Sequence, residues 1–342
     1  MLAVWNIRGL NNPLKQSEIA SLIRRNKLSV VGIVETRVSH AQFDNVWKKF
    51  GNKLPNWGIL HNYCCSDMGR VWIIYNKDMV NIQAIKMHSQ FIHCQLDCDG
   101  ISFMCTFVYG SYVAHDRIDL WNQLNGISLN INLPWIILGD FNAVISNANR
   151  LGGNDIDVQA ASEFQDWTIN SNVNELPHSG NHYTWCNNQC GDNRIWRKLD
   201  WVFVNESWMN SWEESFYVVH NPGISDHSPL VVSLNNGTYI RRSPFRFFNS
   251  WCEHPNFSAI IDDGWKANFN GCMMYKVYQK LKIVRRSLRA MNKEVFADIS
   301  NKVNDTKKLL NSLQTDIMTD PFNSHLQEEE RAVCYHLQKL IR

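Results

Sequence analysis

With 342 residues, 44% of them hydrophobic and 19% charged, the chain is long enough for one large core or two domains. No apolar run approaches the roughly 18 residues of a membrane span, and the opening MLAVWNIRGLNN lacks the parts of a secretory signal, so a non-secreted protein without membrane contacts is expected, its ten cysteines free thiols. The net charge of +2 conceals an asymmetry: residues 1–236 hold 17 Lys and Arg against 21 Asp and Glu, whereas residues 237–342 hold 17 against 11. An acidic front suits a carboxylate-rich metal site, and a basic tail suits either nucleic acid or a solvated helix.

Short apolar runs predict strands at Leu2–Asn6, Val30–Glu35, Val71–Tyr75, Ile82–Met87, Phe91–Cys98, Ser102–Val108, Trp135–Gly139, Tyr183–Cys186, Leu199–Val204, Phe216–His220 and Leu230–Leu234. Amphipathic spacing predicts helices at Leu14–Asn26, His40–Lys49, His115–Asn125 and Val158–Asn170. Strands interspersed with helices, some adjacent in sequence, imply mixed sheets with helices outside, an α/β class. The domain expected over 1–236 gives way at 237–271 to a basic and aromatic stretch, SPFRFF within it, read as a linker or docking segment. Residues 272–319 contain neither Gly nor Pro, and Val277, Leu281, Val284, Leu288, Met291 and Val295 recur at steps of four and three. A long helix is expected there, ended by Pro321, with a second capped by Asn323 or Ser324 and carrying Leu326, Val333, Leu337 and Leu340. The region 272–342 is thus a helical hairpin or coiled coil, able to self-associate.

Polar residues gather where the strands end. The run Trp135–Leu138 leads into GDFNAV. If the strand geometry persists, Asp140 and Asn142 share a face, while an Asx turn is the plainer alternative. Gly139 would permit a close backbone approach. Asn6 and Glu35 likewise close strands, Tyr109 follows one, Asp200 sits within Leu199–Val204, and Asp226-His227 precedes another. In α/β sheets such ends are where sites form. His178, His182, Cys186 and Cys190, four apart, would offer zinc ligands on a helix, but Tyr-Thr-Trp and the Asn/Gly clusters favour strand and turns, where that spacing overruns a tetrahedral site.

The strings WNIRGL, GIVET, VYGS, GDFNAV, KLDWVFV and SDHSPL, in this order, resemble the motifs of the endonuclease/exonuclease/phosphatase superfamily. Their variants most resemble the endonuclease domain of plant LINE-type (non-LTR) retrotransposons, and SPFRFFNSWCEHPNF and LRAMNKEVFADI resemble the connector toward the reverse transcriptase. The resemblance implies a four-layer sandwich of two mixed β-sheets with outer helices. It implies a Mg²⁺-dependent (or Mn²⁺-dependent) phosphodiesterase, most simply an endonuclease that nicks one strand of DNA in the nucleus, without an organic cofactor. It further implies metal ligation by Asn6, Glu35 and Asp226, and catalytic roles for the others. Asp140 would activate water, Asn142 would steady water or phosphate, His227 oriented by Asp200 would meet the phosphate, and Tyr109 would donate its hydroxyl. The pattern departs at Lys198 and Trp201, where Arg is usual, at Asn174-Glu175 for a usual Asp, and at Cys186 for a usual Ser. No Tyr-x-Asp-Asp polymerase motif occurs, so a fragment that does not copy RNA is expected. A non-catalytic nucleic-acid-binding relic, an abasic-site endonuclease and a lipid phosphodiesterase are the alternatives.

Overall fold

The computed structural model describes residues 1–234, 251–252, 254–268, 273–291 and 297–341. The strands, in chain order, are β1 (Leu2–Asn6), β2 (Val30–Ser39), β3 (Trp57–His61), β4 (Met68–Asn76), β5 (Asn81–Met87), β6 (Phe91–Cys98), β7 (Ile101–Tyr109), β8 (Trp135–Asp140), β9 (Arg150–Leu151), β10 (Val173–Glu175), β11 (His178–Gly180), β12 (Trp185–Cys186), β13 (Trp196–Arg197), β14 (Asp200–Asn205), β15 (Phe216–Val219) and β16 (Leu230–Ser233). Helices are α1 (Pro13–Asn26), α2 (Phe43–Gly51), α3 (Ala114–Ser128), α4 (Val158–Asn170), α5 (Glu206–Ser211), α6 (Phe257–Lys266), α7 (Met273–Met291), α8 (Ala297–Thr319) and α9 (Ser324–Ile341). None of these helices is long and apolar enough to cross a membrane.

One sheet has seven strands in the order β11-β15-β16-β1-β2-β4-β3, the other six in the order β10-β14-β8-β7-β6-β5. Both are mixed: β1 runs parallel to β2 but antiparallel to β16, and β8 parallel to β7 but antiparallel to β14. Alternation within each strand separates two faces. Inner-face residues Val4, Val34 and Ile73 meet Phe107, Leu138 and Val202 in the core between the sheets. The outer face of the first sheet, with Trp5, Ile33 and Trp72, is covered by Ile19, Leu22 and Ile23 of α1 and Phe50 of α2. The outer face of the second, with Trp135, Ile137 and Phe203, is covered by Trp121 of α3 and Phe164 and Trp167 of α4. The expected four-layer sandwich of two mixed sheets is the architecture found. The sheets approach closely at Gly32, where any Cβ would strike the Phe107 ring.

Local capping chemistry places the helices that flank these faces. Asn12 caps α1 by accepting the Leu14 N–H at 2.9 Å, Pro13 follows at the first turn, and Lys27 ends the helix in the left-handed region at φ 49°. Asp157 caps α4 in the same manner.

By contacts the chain forms two units, residues 1–236 with 310–334, and residues 237–309 with 335–342. In the second unit Trp251 is buried with Val284, Leu288 and Met291 of α7, and Phe257, Ile260 and Ile261 of α6 pack on them. Thus part of the 237–271 stretch is helical, while its Arg241–Phe248 portion lies outside the described residues. The long helix expected over 272–319 is seen as α7 and α8; Val295 lies outside the described residues. The heptad stripe is buried at Val284, Leu288 and Met291 and exposed at Val277 and Leu281. Asn323 caps α9, its Oδ1 accepting the Leu326 N–H at 3.2 Å.

Candidate active site

All the polar strand-end residues singled out from the sequence come together at one end of the two sheets. Asn6 is central and fully buried. Its Oδ1 accepts the Arg8 N–H at 3.0 Å, which fixes the amide orientation. Its Nδ2 then donates to Asp140 Oδ2 at 2.8 Å and Glu35 Oε2 at 3.0 Å, and stands 3.3 Å from His227 Nε2. Two hydrogens serve the two carboxylates, so the His227 nitrogen is left to face Asp140 Oδ2 at 3.8 Å.

His227 is held from three sides. Its Nδ1 lies 2.9 Å from Asp200 Oδ2, its carbonyl accepts the Trp5 indole N–H at 2.8 Å, and its N–H bonds the Ser225 hydroxyl at 3.3 Å. Thr184 completes the support, donating to Asp200 Oδ2 at 2.7 Å while accepting the Leu199 and Asp200 N–H groups. Pairing of β8 with β14 sets Asp140 directly opposite Asp200, and pairing of β7 with β8 sets Tyr109 opposite Asp140.

Electrostatics follow from this crowding. Burial, reinforced by Asp200 and opposed by His227, pushes the Asp140 carboxyl up to about 7. Burial alone would lower His227, but the Asp200 and Asp140 carboxylates outweigh it and raise the imidazole to about 9. Near neutrality the pair is therefore an imidazolium beside a partly ionised carboxylate. Burial, with Glu35 and Asp140 nearby, raises Tyr109 and keeps its hydroxyl protonated.

The turn after β8 differs from a continued strand. Asn142 adopts φ 48°, and its N–H bonds Asp140 Oδ1 at 2.9 Å, an Asx turn. The shared face expected from extended geometry is replaced by a direct contact, with Asn142 Nδ2 donating to the Gly110 carbonyl at 2.9 Å. Gly139, at φ 148°, lies so near β7 that a Cβ would collide with the Val108 carbonyl oxygen. Arg8, Glu35 and Arg37 also have positive φ, at 47°, 52° and 52°. For Glu35 and Arg37 the cause is visible: the register of β2 against β4 slips between Val34 and Val38, and the bulge re-aims Glu35. Such strain persists only where surroundings over-determine it, commonly at sites.

Glu35 and Asp226 converge on one cation. The Arg8 guanidinium bonds Asp226 and approaches Glu35 Oε1 at 3.9 Å, while Arg37 Nε donates to Glu35 Oε1 at 2.8 Å. Trp185 Nε1 donates to Asp226 Oδ2 at 3.1 Å. Burial would raise Asp226, but His227 and Arg8 hold it below its ordinary value. Two carboxylates around a positive group form a hard-oxygen pair that fits a divalent cation such as Mg²⁺, while the Asn6 amide oxygen is held by the Arg8 N–H. Among the described residues, the group of three whose ligand atoms lie within 4.8 Å of one another is instead Asp140, Asp200 and His227. In that cluster the His227–Asp200 bond and the raised imidazole leave a poorer ligand set. His178, His182, Cys186 and Cys190 form no such group among the described residues; His178 pairs with Glu175, and His182 bonds the Ala148 carbonyl.

A family model described as the endonuclease/exonuclease/phosphatase family matches residues 3–227. The chain belongs to this family. No curated protein sequence matches the chain. Among solved structures, the endonuclease domain of TRAS1, a telomere-specific non-LTR retrotransposon, is similar with TM-score 0.52 and 13% identity over 69% of this chain and 99% of that one. The AP endonuclease LMAP from Leishmania major is 15% identical with TM-score 0.49, covering 67% of this chain and 85% of its own. A beta toxin mutant from Staphylococcus aureus with bound magnesium ions is 16% identical with TM-score 0.48, covering 68% and 98%. The fold is that of the family's phosphodiesterases and nucleases, which use divalent metals.

Arg8, Arg37, Thr184 and Trp185 belong to this site but were not singled out by sequence. Arg8 lies inside WNIRGL, and Thr184-Trp185 directly precedes Cys186, so the motifs marked their neighbourhood. Lys198 and Glu175, the departures from the usual pattern, pair with each other at 2.6 Å, and Lys198 Nζ stands 4.5 Å above the Trp201 ring. The changed residues therefore compensate one another.

Proposed function

We propose that the protein is a Mg²⁺-dependent DNA endonuclease that nicks one strand, of the kind non-LTR retrotransposons use. The observation that carries this reading is the continuous chain Thr184–Asp200–His227, with Asn6 tying Asp140 to Glu35. Asn6, Glu35 and Asp226 would hold the cation, which supplies charge neutralisation at the scissile phosphate. Asp140, poised at about 7, takes the proton of an attacking water, since a base works best near the operating pH. Asn142, fixed by its bond to the Gly110 carbonyl, orients that water or the phosphate. His227, positively charged and oriented by Asp200, donates from Nε2 to a phosphate oxygen as negative charge accumulates there. Tyr109 keeps its hydroxyl proton for the same phosphate. Arg8 and Arg37, each half exposed at the rim, meet flanking phosphates, so DNA is the partner and the nucleus its place of action. The likeness in fold to the TRAS1 domain supports the retrotransposon assignment, as do the variant motifs.

The deciding experiment is conversion of supercoiled plasmid to the relaxed form. Wild-type protein is expected to nick with Mg²⁺ or Mn²⁺ and to stop with EDTA, and Asp140→Ala is expected to lose at least a hundredfold. Faster cutting of abasic DNA or of lipid phosphates than of intact DNA would redirect the substrate assignment. DNA binding without turnover by folded protein would instead support a non-catalytic relic.

A further inference from the structure

The residues flanking Trp185, Asp226 and His227 are held from behind by the C-terminal helices. Arg194 is fully buried, and its guanidinium donates to Glu330 Oε2 at 2.7 Å while lying over the Trp196 ring at 4.8 Å. Gln314 Nε2 donates to the other Glu330 oxygen at 3.1 Å. On the same loop the Gly191 N–H bonds Gln327 Oε1 at 2.7 Å, and Arg331 donates to the Asn188 carbonyl. A second segment is gripped as well: Asn221 Nδ2 donates to the Asn311 carbonyl at 3.0 Å and its Oδ1 at 2.9 Å, five positions before Asp226. Between the two grips Ile317, fully buried, packs on Cys186 and Trp196.

These contacts reach the site in one covalent step. Cys186 N–H bonds the Asp226 carbonyl at 3.0 Å, and the preceding Trp185 donates its indole N–H to the Asp226 carboxylate at 3.1 Å. Trp185 also forms a β-bridge with His227. A helical stretch that fastens 187–194 on one side and 221–223 on the other thus fixes the frame in which Asp226 and His227 are presented.

We propose that residues 310–334 are a working part of the nuclease, a brace in which Glu330, through Arg194, positions the Trp185–Asp226–His227 frame for strand cleavage. The inference rests on the nuclease reading for its consequence and on the ion pair for its mechanism. Neutralising Glu330 strands a buried guanidinium whose Nε and Nη1 already have no partner, so the helices are released from the loop. Replacing both charges with apolar groups removes that penalty and lets the helices dock again.

The test uses the full chain in three forms: wild type, Glu330→Gln, and the double variant Arg194→Met/Glu330→Leu. Hydrogen exchange of segments 186–195 and 221–227 is read together with nicking kinetics in Mg²⁺. Glu330→Gln is expected to lose at least tenfold protection in both segments and at least tenfold in kcat, with KM for DNA within threefold. The double variant is expected to recover both to within threefold of wild type. Unchanged protection, or lost protection with unchanged kcat, overturns the proposal, as does a double variant that stays impaired. If wild type does not nick at all, the nuclease reading fails, while the exchange data still decide whether the brace exists. Should Glu330→Gln unfold, as near-UV circular dichroism would show, the milder Asn311→Ala/Gln314→Ala variant is read against the same criteria.

Discussion

Replacing Asp200 by Asn tests the electrostatic core of the site while leaving its shape nearly intact. His227 is raised from 6.5 to about 9 against the opposing effect of burial, with Asp200 the leading favourable partner and Asp140 second. At about 1.4 kcal/mol per pKa unit the net preference for the imidazolium is about 3 kcal/mol. Asp200 Oδ2 serves both Thr184 and His227 Nδ1, so the amide presents either its oxygen or its NH₂ to both, and in either orientation the charge is lost. The imidazole then titrates toward its ordinary value, and Asp140, relieved of a like charge, titrates lower as well. Raised folded-state basicity means that the working imidazolium is present below about 9 and lost above it. In wild type the nicking rate should therefore rise as Asp140 ionises near 7 and fall as His227 deprotonates near 9. In Asp200→Asn the alkaline limb should move down by at least one unit. At pH 8 the protonation loss alone amounts to about twofold for a one-unit fall and about 30-fold for a full return to 6.5, and a wrong tautomer adds to it. The assay is single-turnover nicking from pH 5.5 to 10 at saturating Mg²⁺. An alkaline limb that stays in place would refute the assignment of His227 as the charged donor.

Burial alone would raise Glu175, yet His178, Lys198 and Tyr217 hold it down to about 2. Its contribution to stability is full above the ordinary value of 4.5 and is lost as pH falls toward 2. Because the carboxylate is partly exposed, solvent screening discounts that contribution to about 1–2 kcal/mol. Lys198→Met should flatten the fall of the urea midpoint between pH 5 and 3, and an unchanged slope would dismiss the pair as its source. Gly139→Ala places a methyl against the Val108 carbonyl at a φ of 148°. It should cost at least about 3 kcal/mol and lower the melting temperature by more than about 5 °C; a wild-type melting curve would show that the sheet yields there.

Much of the fold was legible because its central strands are buried on both faces and therefore read as continuous apolar runs, Val30–Val34 and Trp135–Leu138 among them. The edge strand Trp57–His61 was missed because it is only half buried and contains Gly58. The two- and three-residue strands near Arg150, Val173 and Trp196 leave no period to detect. For the site, strand-end carboxylates and amides advertise themselves by interrupting apolar runs. Arg8 and Trp185 lie on turns and at short edges, where no such contrast exists. The heptad stripe foretold helices after residue 272, but a stripe does not say which surface it will cover. Nothing in it distinguishes Leu288, buried with Trp251, from Leu281, left exposed.

The order in which these parts leave the ribosome has its own consequence. β1 emerges first, yet it lies between β2 and β16, the last strand of the sandwich. The Trp5 indole waits for the His227 carbonyl, 222 positions later. At about 5–20 residues per second the interval is on the order of ten seconds or more. Throughout it, Asn6 and Glu35 are already synthesised but lack Asp226 and His227. A growing chain therefore has no assembled site until β16 docks beside β1, and a chain interrupted before that strand leaves the site open however well its second sheet has formed.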